Sequence, residues 1–380
     1  MSEETAAPVA SAAVPASATV TKTERFAFTG DGGEYFRIWV VNAVLSIATI
    51  GIYSAWAKVR KSSYFARNTR LAGDTFEFVA EPLAILRGRV LALVLIGLYT
   101  YSFEFSLTLG LATTMILVAV APLLFASATR FRLRNTRWRG MRFDFTATRA
   151  EAYRAITLVV AIWISAGVAA SVGGEPAVPW LAGATALLLP WMHHRIKAFQ
   201  HRHASVAGAR STFAPALGRF YAVYATTALV LVLAGLGASA IAGAATVAFS
   251  GAAAAPAWAL SGLVFLAVPA LIWLAAWPFF ATRIQRVVWE RTSLGPFGFE
   301  TSIAYGGLLP IAAKNLLLLI VTAGLYWPFA SIAWARYRIE CMRLVGTQDL
   351  AAVAAAASTQ GSRATFGEGA VDFFGVDLGW

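Results

Sequence analysis

Long apolar segments alternate with short basic loops along most of this chain. Three blocks, 87–129, 155–191 and 220–281, are each long enough for two helical crossings joined by a turn, since one crossing of a bilayer needs about 20 apolar residues. Two shorter segments, 35–57 and 308–335, are long enough for only one straight crossing. The chain is 58% apolar and 13% charged, whereas soluble domains are about 25% charged, so the sequence predicts an integral membrane protein.

The net charge of +12 does not indicate a nucleic-acid partner, because of where the charges lie. Arginine and lysine are concentrated in loops directly beside the apolar segments, a pattern typical of loops on the cytoplasmic side of a membrane. We therefore expect the lipid bilayer to be the main partner. The sequence identifies no protein partner.

Two tails flank the apolar region. Residues 1–22 begin with acidic side chains and continue in Ala, Pro, Ser and Thr, which predicts a disordered tail rather than a signal peptide. Residues 347–380 are Ala-rich and then acidic and aromatic, which predicts a soluble tail. Residues 23–346 are expected to form one transmembrane domain. The single cysteine, Cys341, excludes a disulfide within the chain.

One stretch of the sequence, 42–73, returns without a gap as 315–346. Its second half is a basic loop with an aromatic start and a Gly–Phe-x-Phe end, and related loops occur five times, with Phe28 aligned to Phe78, Phe145 and Phe299. Its first half occurs only twice. Internal repeats of this kind are typical of membrane-protein folds. The predicted fold is therefore all-α: a polytopic transmembrane helical bundle of six to eight spans built from tandem repeats, with short Phe-x-Phe strand-like elements in the cytoplasmic loops.

The two short segments leave the topology open. If all five loops lie on one side, each short segment must enter the membrane and return, with its helix broken at Thr-x-Gly-x-Tyr; Gly51, Gly324 and Pro328 make a break physically plausible. If each segment crosses once, the protein has eight spans. The charge pattern favours the broken form and the segment length favours the simple span.

Polar and turn-forming residues recur inside the short segments and are the first candidates for a functional site. A polar residue inside a membrane is a functional candidate by default, although it also serves to pack helices by hydrogen bonding. If these residues line a transport path, the two asparagines should face each other across a polar cavity. If they only pack helices, both asparagines should be buried without contact with water. The residues are Asn42, Thr49, Gly51, Tyr53, Asn315, Thr322, Gly324 and Tyr326.

The basic loops supply a second set of candidates. Arginines mixed with aromatic side chains can hold anionic phospholipid headgroups, at about 1 kcal/mol for each basic residue near the surface. The alternative is that these loops only set topology. The candidate headgroup ligands are Arg60, Arg67, Arg70, Arg134, Arg137, Arg139 and Arg343.

Few residues in the sequence could bind a metal or act in catalysis. His193, His194, His201 and His203 fall within eleven residues, but the surrounding loop is basic and has no carboxylate or thiolate, so we predict a solvated loop rather than a metal site. Glu104 is predicted to lie at a surface turn. No nucleophile–base motif or cofactor-binding motif is present, so we expect neither catalytic residues nor a cofactor, and no enzyme activity.

The repeated stretch resembles the YjgN-like family of bacterial inner-membrane proteins, a family of unknown function. This resemblance implies a multi-pass protein of the bacterial inner (cytoplasmic) membrane and brings no activity, substrate or catalytic residue. The chain departs from the expected pattern at Ala55, where a proline is expected as at Pro328. The resemblance is carried by Phe26-x-Phe28-x-Gly30, Thr49-Ile-Gly-Ile-Tyr53-Ser-Ala-Trp56, Arg60, Tyr64-x-x-x-Asn68-Thr69-x-x-x-Gly73, Phe76-x-Phe78 and Thr322-Ala-Gly-Leu-Tyr326-Trp-Pro-Phe329.

Two functions are compatible with these features. The first is a transporter or channel-like protein whose path is lined by the broken short segments, because discontinuous helices often mark substrate sites. The alternative is a membrane-organising or anionic-lipid-binding protein that transports nothing.

Overall fold

The computed structural model describes residues 22–172, 175–206, 208–249 and 257–348. Apart from Lys22 and residues 347–348, the predicted tails lie outside the described residues.

Pairs of helices alternate with pairs of short strands throughout. The helices are α1 (Gly32–Ala48), α2 (Ser54–Arg67), α3 (Pro82–Phe105), α4 (Leu107–Arg134), α5 (Arg149–Ser171), α6 (Val178–Arg202), α7 (Leu217–Phe249), α8 (Ala257–Glu290), α9 (Tyr305–Val321) and α10 (Trp327–Glu340). The strands are β1 (Lys22–Phe28), β2 (Thr69–Leu71), β3 (Asp74–Phe78), β4 (Thr136–Trp138), β5 (Met141–Phe145), β6 (Ala204–Val206), β7 (Ala209–Phe213), β8 (Thr292–Leu294), β9 (Phe297–Thr301) and β10 (Met342–Gly346).

The strands form one closed antiparallel barrel in which each strand pairs with its neighbours along the chain. The first and last strands close the barrel, with Lys22 opposite Gly346 and Arg25 opposite Arg343. Tight turns join β2 to β3 and β4 to β5. Both turn residues have positive φ in each case, 49° and 85° at Ala72 and Gly73, and 50° and 74° at Arg139 and Gly140. Such turns match the twist of a hairpin and explain why a glycine ends the basic loops.

The barrel makes the prediction of an all-α fold wrong. Strand-like Phe-x-Phe elements were expected within single loops, and they are present. Their pairing with strands of the other loops was not expected, because backbone hydrogen bonds between distant segments leave no mark in the local sequence. The strand register also corrects one alignment of the repeated loops. Phe28, Phe78 and Phe145 each pair with the first residue of the neighbouring strand, and in the fourth loop Thr301, rather than Phe299, does so.

Apolar side chains fill the inside of the barrel, because alternate residues of a strand point to the same face. We call this group the barrel plug. It contains Phe26, Leu71, Phe76, Trp138, Met141, Phe143, Val206, Phe297, Phe299 and Leu344.

The helices form a ring on one end of the barrel. Each helix packs against the next along the chain, and α10 packs against α1 to close the ring. Near the barrel, even-numbered helices also share core clusters, as Ala126 of α4 does with Phe199 of α6, and Ala198 of α6 does with Val287 of α8. Clusters of the same kind join α2 to α4 and α2 to α10. Trp277 of α8 contacts Trp334 of α10, with ring centroids 3.9 Å apart. The even-numbered helices therefore surround the axis of the ring, and the odd-numbered helices lie outside them.

Of the two alternatives for the short segments, the structure has the broken helix. The segments form the hairpins α1–α2 and α9–α10, which return to the barrel from which they began. Five helices of the described residues are long and apolar enough to cross a membrane: α3, α4, α5, and the parts Leu217–Ala244 of α7 and Ala267–Glu290 of α8. The number of spans beyond these five stays a prediction.

Candidate functional site

The two short hairpins turn in the same way. Thr49 caps the C-terminus of helix α1, and the next two residues, Ile50 and Gly51, take left-handed conformations with φ of 50° and 86°. The N–H of Gly51 donates to Ser46 O at 2.7 Å and that of Ile50 to Ile47 O at 3.1 Å, the hydrogen bonds of a Schellman motif. The second copy repeats this geometry at Ala323 and Gly324, with φ of 48° and 90°.

The threonine hydroxyl completes each turn. Thr49 Oγ1 donates to Leu45 O at 2.8 Å and accepts the N–H of Tyr53 at 2.9 Å. Thr322 makes the same two bonds, to Leu318 O at 2.6 Å and from Tyr326 N at 3.0 Å. Backbone N–H groups from 49 to 55 all donate within the hairpin. The spacing of Thr-x-Gly-x-Tyr therefore encodes a turn whose N–H groups are satisfied without water, as the membrane interior requires.

The side chains around these turns are apolar and outward-facing. Ile47 is 79% exposed and Ile50 94% exposed, and Val321 and Leu325 are exposed in the second copy. The turn between α3 and α4 differs, because it carries the exposed Glu104, as predicted. A charge is costly within a bilayer, so the composition of the short turns suits hydrocarbon and that of the α3–α4 turn suits water.

The two asparagines of the short segments are buried in helix packing. Asn315 donates across its own hairpin to Ala330 O at 3.5 Å, and Asn42 is similarly buried in the first copy. Asn42 and Asn315 lie on α1 and α9, and α10 packs between these two helices. Asn42 Oδ1 is buried without a hydrogen-bond partner.

A group of cations lies on the axis of the helix ring instead. Lys197 of α6 is only 7% exposed, and Arg132 on α4 and Arg338 on α10 lie within electrostatic range of it. Helices α6 and α10 are not neighbours in the ring, so side chains on both can interact only across its interior. We call Arg132, Lys197 and Arg338 the axial cations.

Polar groups surround the axial cations. Arg338 Nε donates to Gln285 Oε1 at 2.5 Å, and Gln285 Nε2 donates to Arg338 O at 3.2 Å. His201 lies within electrostatic range of Lys197 and Arg132, and its Nδ1 is 3.0 Å from Thr292 Oγ1. Phosphate-type anions bind where several Lys and Arg side chains converge in this way. The arrangement can therefore hold an anion between the helix ring and the barrel plug.

The seven predicted headgroup arginines are not gathered at one place. Arg70, Arg137 and Arg343 alternate along their strands with residues of the barrel plug, so they lie on the outer wall of the barrel. Arg134 pairs with Asp144 at 2.7 Å, and Arg139 pairs with Asp74. The remaining two, Arg60 and Arg67, are exposed on α2.

The four histidines lie along the second half of α6 and at its C-cap. His193 is 3.0 Å from Tyr224 Oη, and His194 packs against Phe220. His203 Nδ1 is 2.9 Å from Phe199 O, the same helix-end contact that Asn68 and Asn135 make in their own loops at 2.9 and 2.8 Å. No group of three or more potential metal ligands occurs among the described residues.

Sequence reasoning missed the axial cations. Each is one of many basic residues near a helix end, where a side chain usually snorkels to the membrane surface. Only the closed ring shows that these three point inward. A pattern in the sequence could have found two of them, because Arg132 and Arg338 both lie four residues before a strand, at Thr136 and Met342. Lys197 does not share this distance.

Known proteins resemble this chain in part. The "Inner membrane protein YjgN" of Salmonella typhimurium is 37% identical over 68 residues, 18% of this chain and 17% of that protein. The protein of the same name from Escherichia coli K12 is 42% identical over 53 residues, 14% of this chain and 13% of that protein. The alignments thus span 13–17% of the relatives' length. No solved structure matches the chain. The family described as "Bacterial protein of unknown function (DUF898)" matches residues 23–373, so the chain belongs to that family.

Proposed function

We propose that this protein is a transporter or channel-like protein of the bacterial inner membrane that binds an anionic group on the axis of its helix ring. Three basic residues from three helices carry the proposal: Arg132, the buried Lys197, and Arg338, which contacts Gln285 and Trp334. Lys197 is 7% exposed on α6, and basic side chains that converge from several helices favour an anionic ligand.

The location of the axial cations supports a path rather than a surface site. The ring of helices surrounds them, and the barrel plug lies beyond them on the same axis. A plug of aromatic and aliphatic side chains stops ions, because it offers no polar group to replace their hydration. The plug would act as the closed gate of a path, with the axial cations as its anion-binding site.

The barrel belongs on the cytoplasmic side in this proposal. All ten strands lie at one end of the helix ring, together with the basic loops that contain them. Basic loops are retained on the cytoplasmic side. The relatives named as inner membrane proteins support the choice of membrane.

A second candidate is a lipid-binding protein that transports nothing. The arginines on the outer wall of the barrel favour it, since Arg70, Arg137 and Arg343 would face an anionic membrane surface at about 1 kcal/mol each. This candidate needs only the outer arginines, whereas the transport proposal needs the axial cations.

The binding of inorganic phosphate to the full chain in a non-ionic detergent tests the proposal. Phosphate should raise the thermal unfolding temperature saturably, with sodium chloride at equal ionic strength as the reference, because a ligand that binds only the folded state stabilises it. Lys197→Gln should abolish most of the shift. Arg67→Gln removes an exposed charge of the same kind and should preserve the shift. An absent shift in the unaltered protein, or an equal one in Lys197→Gln, would overturn the proposal.

A further inference from the structure

The outer wall of the barrel carries a row of three side chains at each of the hairpins β2–β3, β4–β5, β6–β7 and β8–β9. Residues that pair across strands point to the same face of a sheet, and here that face is the outside, because the alternate residues form the barrel plug. The first three rows each contain an arginine, whereas the fourth has no charged side chain and ends in a glycine. The rows are Ala27, Arg70 and Thr75; Glu77, Arg137 and Arg142; Asp144, Ser205 and Arg210; and Thr212, Ser293 and Gly298.

A cavity of about 460 Å³ lies at the fourth row. All three residues of that row line it, together with Arg219 from the first turn of α7 and with Glu290 and Arg291 at the end of α8. Sites for small molecules in proteins have volumes of roughly 300–1,000 Å³. The small side chains of the fourth row therefore leave room for an organic ligand, which the longer side chains of the other rows would fill.

Arg291 occupies a position that has a structural role in the three preceding loops. The residue directly before the first strand of each hairpin is Asn68, Asn135 or His203, and its side chain contacts the carbonyl oxygen four residues earlier at 2.9, 2.8 and 2.9 Å. Arg291 lines the cavity instead, and its guanidinium has no hydrogen-bond or ion-pair partner among the described residues. Its charge is therefore available to a ligand.

The other charged side chains at the cavity offset one another. Arg219 Nη1 lies 3.7 Å from Glu290 Oε2, and Glu290 Oε1 lies 3.9 Å from Arg286 Nε. Arg291 remains as the unpaired charge, so the cavity favours a ligand with one negative group over a cation. A guanidinium matches the geometry of a carboxylate, because two parallel N–H groups can donate to its two oxygens.

A pair of hydroxyl groups supplies a second donor. Thr212 Oγ1 and Ser293 Oγ are 2.7 Å apart, and their hydrogen bond uses only one of the two hydroxyl protons. The other proton can be donated to a ligand. Ala214 and Phe299 also line the cavity and supply apolar surface. A charged planar donor, a neutral donor and an apolar wall together suit a carboxylate on a small organic body.

We propose that this cavity binds a small organic molecule with a single carboxylate group. The carboxylate would accept hydrogen bonds from Arg291 and from the hydroxyl pair of Thr212 and Ser293, and the organic part would lie against Ala214 and Phe299. This site goes beyond the proposed function and does not depend on it, because it lies on the outer wall of the barrel and uses none of the axial cations.

Hydrogen–deuterium exchange of the full chain in a non-ionic detergent tests this proposal, because it reports where a ligand binds. The probe is benzoate, and benzamide, which has the same shape without the charge, is the reference. Benzoate should slow exchange saturably in segments 212–219 and 290–299. Benzamide should bind at least about tenfold more weakly, since a hydrogen bond to a charged group corresponds to about that factor. Equal binding of the two compounds, or no slowing by benzoate, would overturn the proposal.

Two variants test the charge and the space separately. Arg291→Gln should weaken benzoate binding about tenfold or more, whereas Arg142→Gln removes an exposed arginine from another row and should leave it unchanged. Gly298→Thr should abolish binding by filling the cavity. A Cβ at this position meets only Val345 O at 4.0 Å, so the variant should fold. Unaltered benzoate binding in either Arg291→Gln or Gly298→Thr would contradict the assignment.

Lys197→Gln separates this site from the axial cations. The variant should leave the protection of segments 212–219 and 290–299 by benzoate unchanged, because Lys197 does not line the cavity. Loss of that protection would overturn the cavity site, since it would show that benzoate acts through the axis of the ring. Protection that depends on Arg291 alone would support the cavity site whether or not phosphate binds at the axis.

Discussion

Lys197 and Arg338 lie close enough for their charges to repel, although their helices are not neighbours in the ring. Both residues belong to the axial cations. This pair marks the place where we propose that the axis of the ring binds an anion.

The threonine hydroxyls should stabilise the short hairpins. Valine has the shape of threonine but cannot accept the N–H of Tyr53 or Tyr326, and no water would replace the bond inside the bilayer. We expect Thr49→Val and Thr322→Val each to lower the free energy of unfolding by about 1–3 kcal/mol. Unfolding of the full chain in mixed micelles would measure the change.

Thr113→Val is the control for these variants. The Thr113 hydroxyl donates to Leu109 O at 2.7 Å, but no turn depends on it. The variant should stay within about 0.5 kcal/mol of the unaltered protein. Equal effects at all three threonines would show that the turns have no special need for the hydroxyl.

Gly51 should be needed for its backbone conformation. A Cβ added there meets nothing within 4 Å, so only the φ of 86° opposes a side chain. We expect Gly51→Ala to destabilise by about 1–2 kcal/mol, the cost of a left-handed conformation for an L-residue. Gly97→Ala, which is equally open but helical, should be stabilising by roughly 0.5–1 kcal/mol. Similar losses in the two variants would contradict the role of the turn.

Asp31 should make the stability of α1 depend on pH. The backbone N–H of Glu34, followed by that of Gly33, donates to its carboxylate and holds the pKa of Asp31 below the ordinary 3.8. A carboxyl group with a lowered pKa stabilises the folded state at pH above 3.8 and loses this effect as the pH falls below it. Melting temperatures between pH 6 and pH 3 should therefore fall more in the unaltered protein than in Asp31→Asn, which keeps a cap without a charge. Parallel curves would refute the prediction.

Cysteine labelling should show that the barrel is accessible from one side of the membrane and that the short turns are accessible from neither side. In a Cys341→Ser background, we expect Arg142→Cys to react with a membrane-impermeant maleimide only when the cytoplasmic side is accessible. Glu104→Cys should react from the opposite side. Ile47→Cys should react from neither, because its side chain would lie in hydrocarbon. Labelling of Ile47→Cys from outside would mean that the short hairpins cross the membrane.

Local features of the fold were predictable and distant contacts were not. The spacing of Thr49, Gly51 and Tyr53 indicated a helix break, because glycine and a capping hydroxyl act within a few residues. The Phe76 and Phe78 pattern indicated strands for the same reason. The closure of the barrel joins Lys22 to Gly346, and no local signal specifies a partner so far along the chain. Lys197 became recognisable as an axial residue only once the helices formed a ring.

The proposed path makes Trp138 part of a gate. This residue lies within the barrel plug and is 4% exposed. Replacing it with alanine removes a large buried ring, which opens space inside the barrel at a cost of about 3–5 kcal/mol in stability. A melting curve should show that Trp138→Ala still folds before its permeability is measured.

The most direct test is the reversal potential of Trp138→Ala in a planar bilayer with a chloride gradient. An axis lined by cations predicts a current selective for anions, and the double variant Trp138→Ala with Lys197→Gln should lose most of that selectivity. A folded Trp138→Ala variant that passes no current, or that passes cations as readily as anions, would contradict an anion path through the ring.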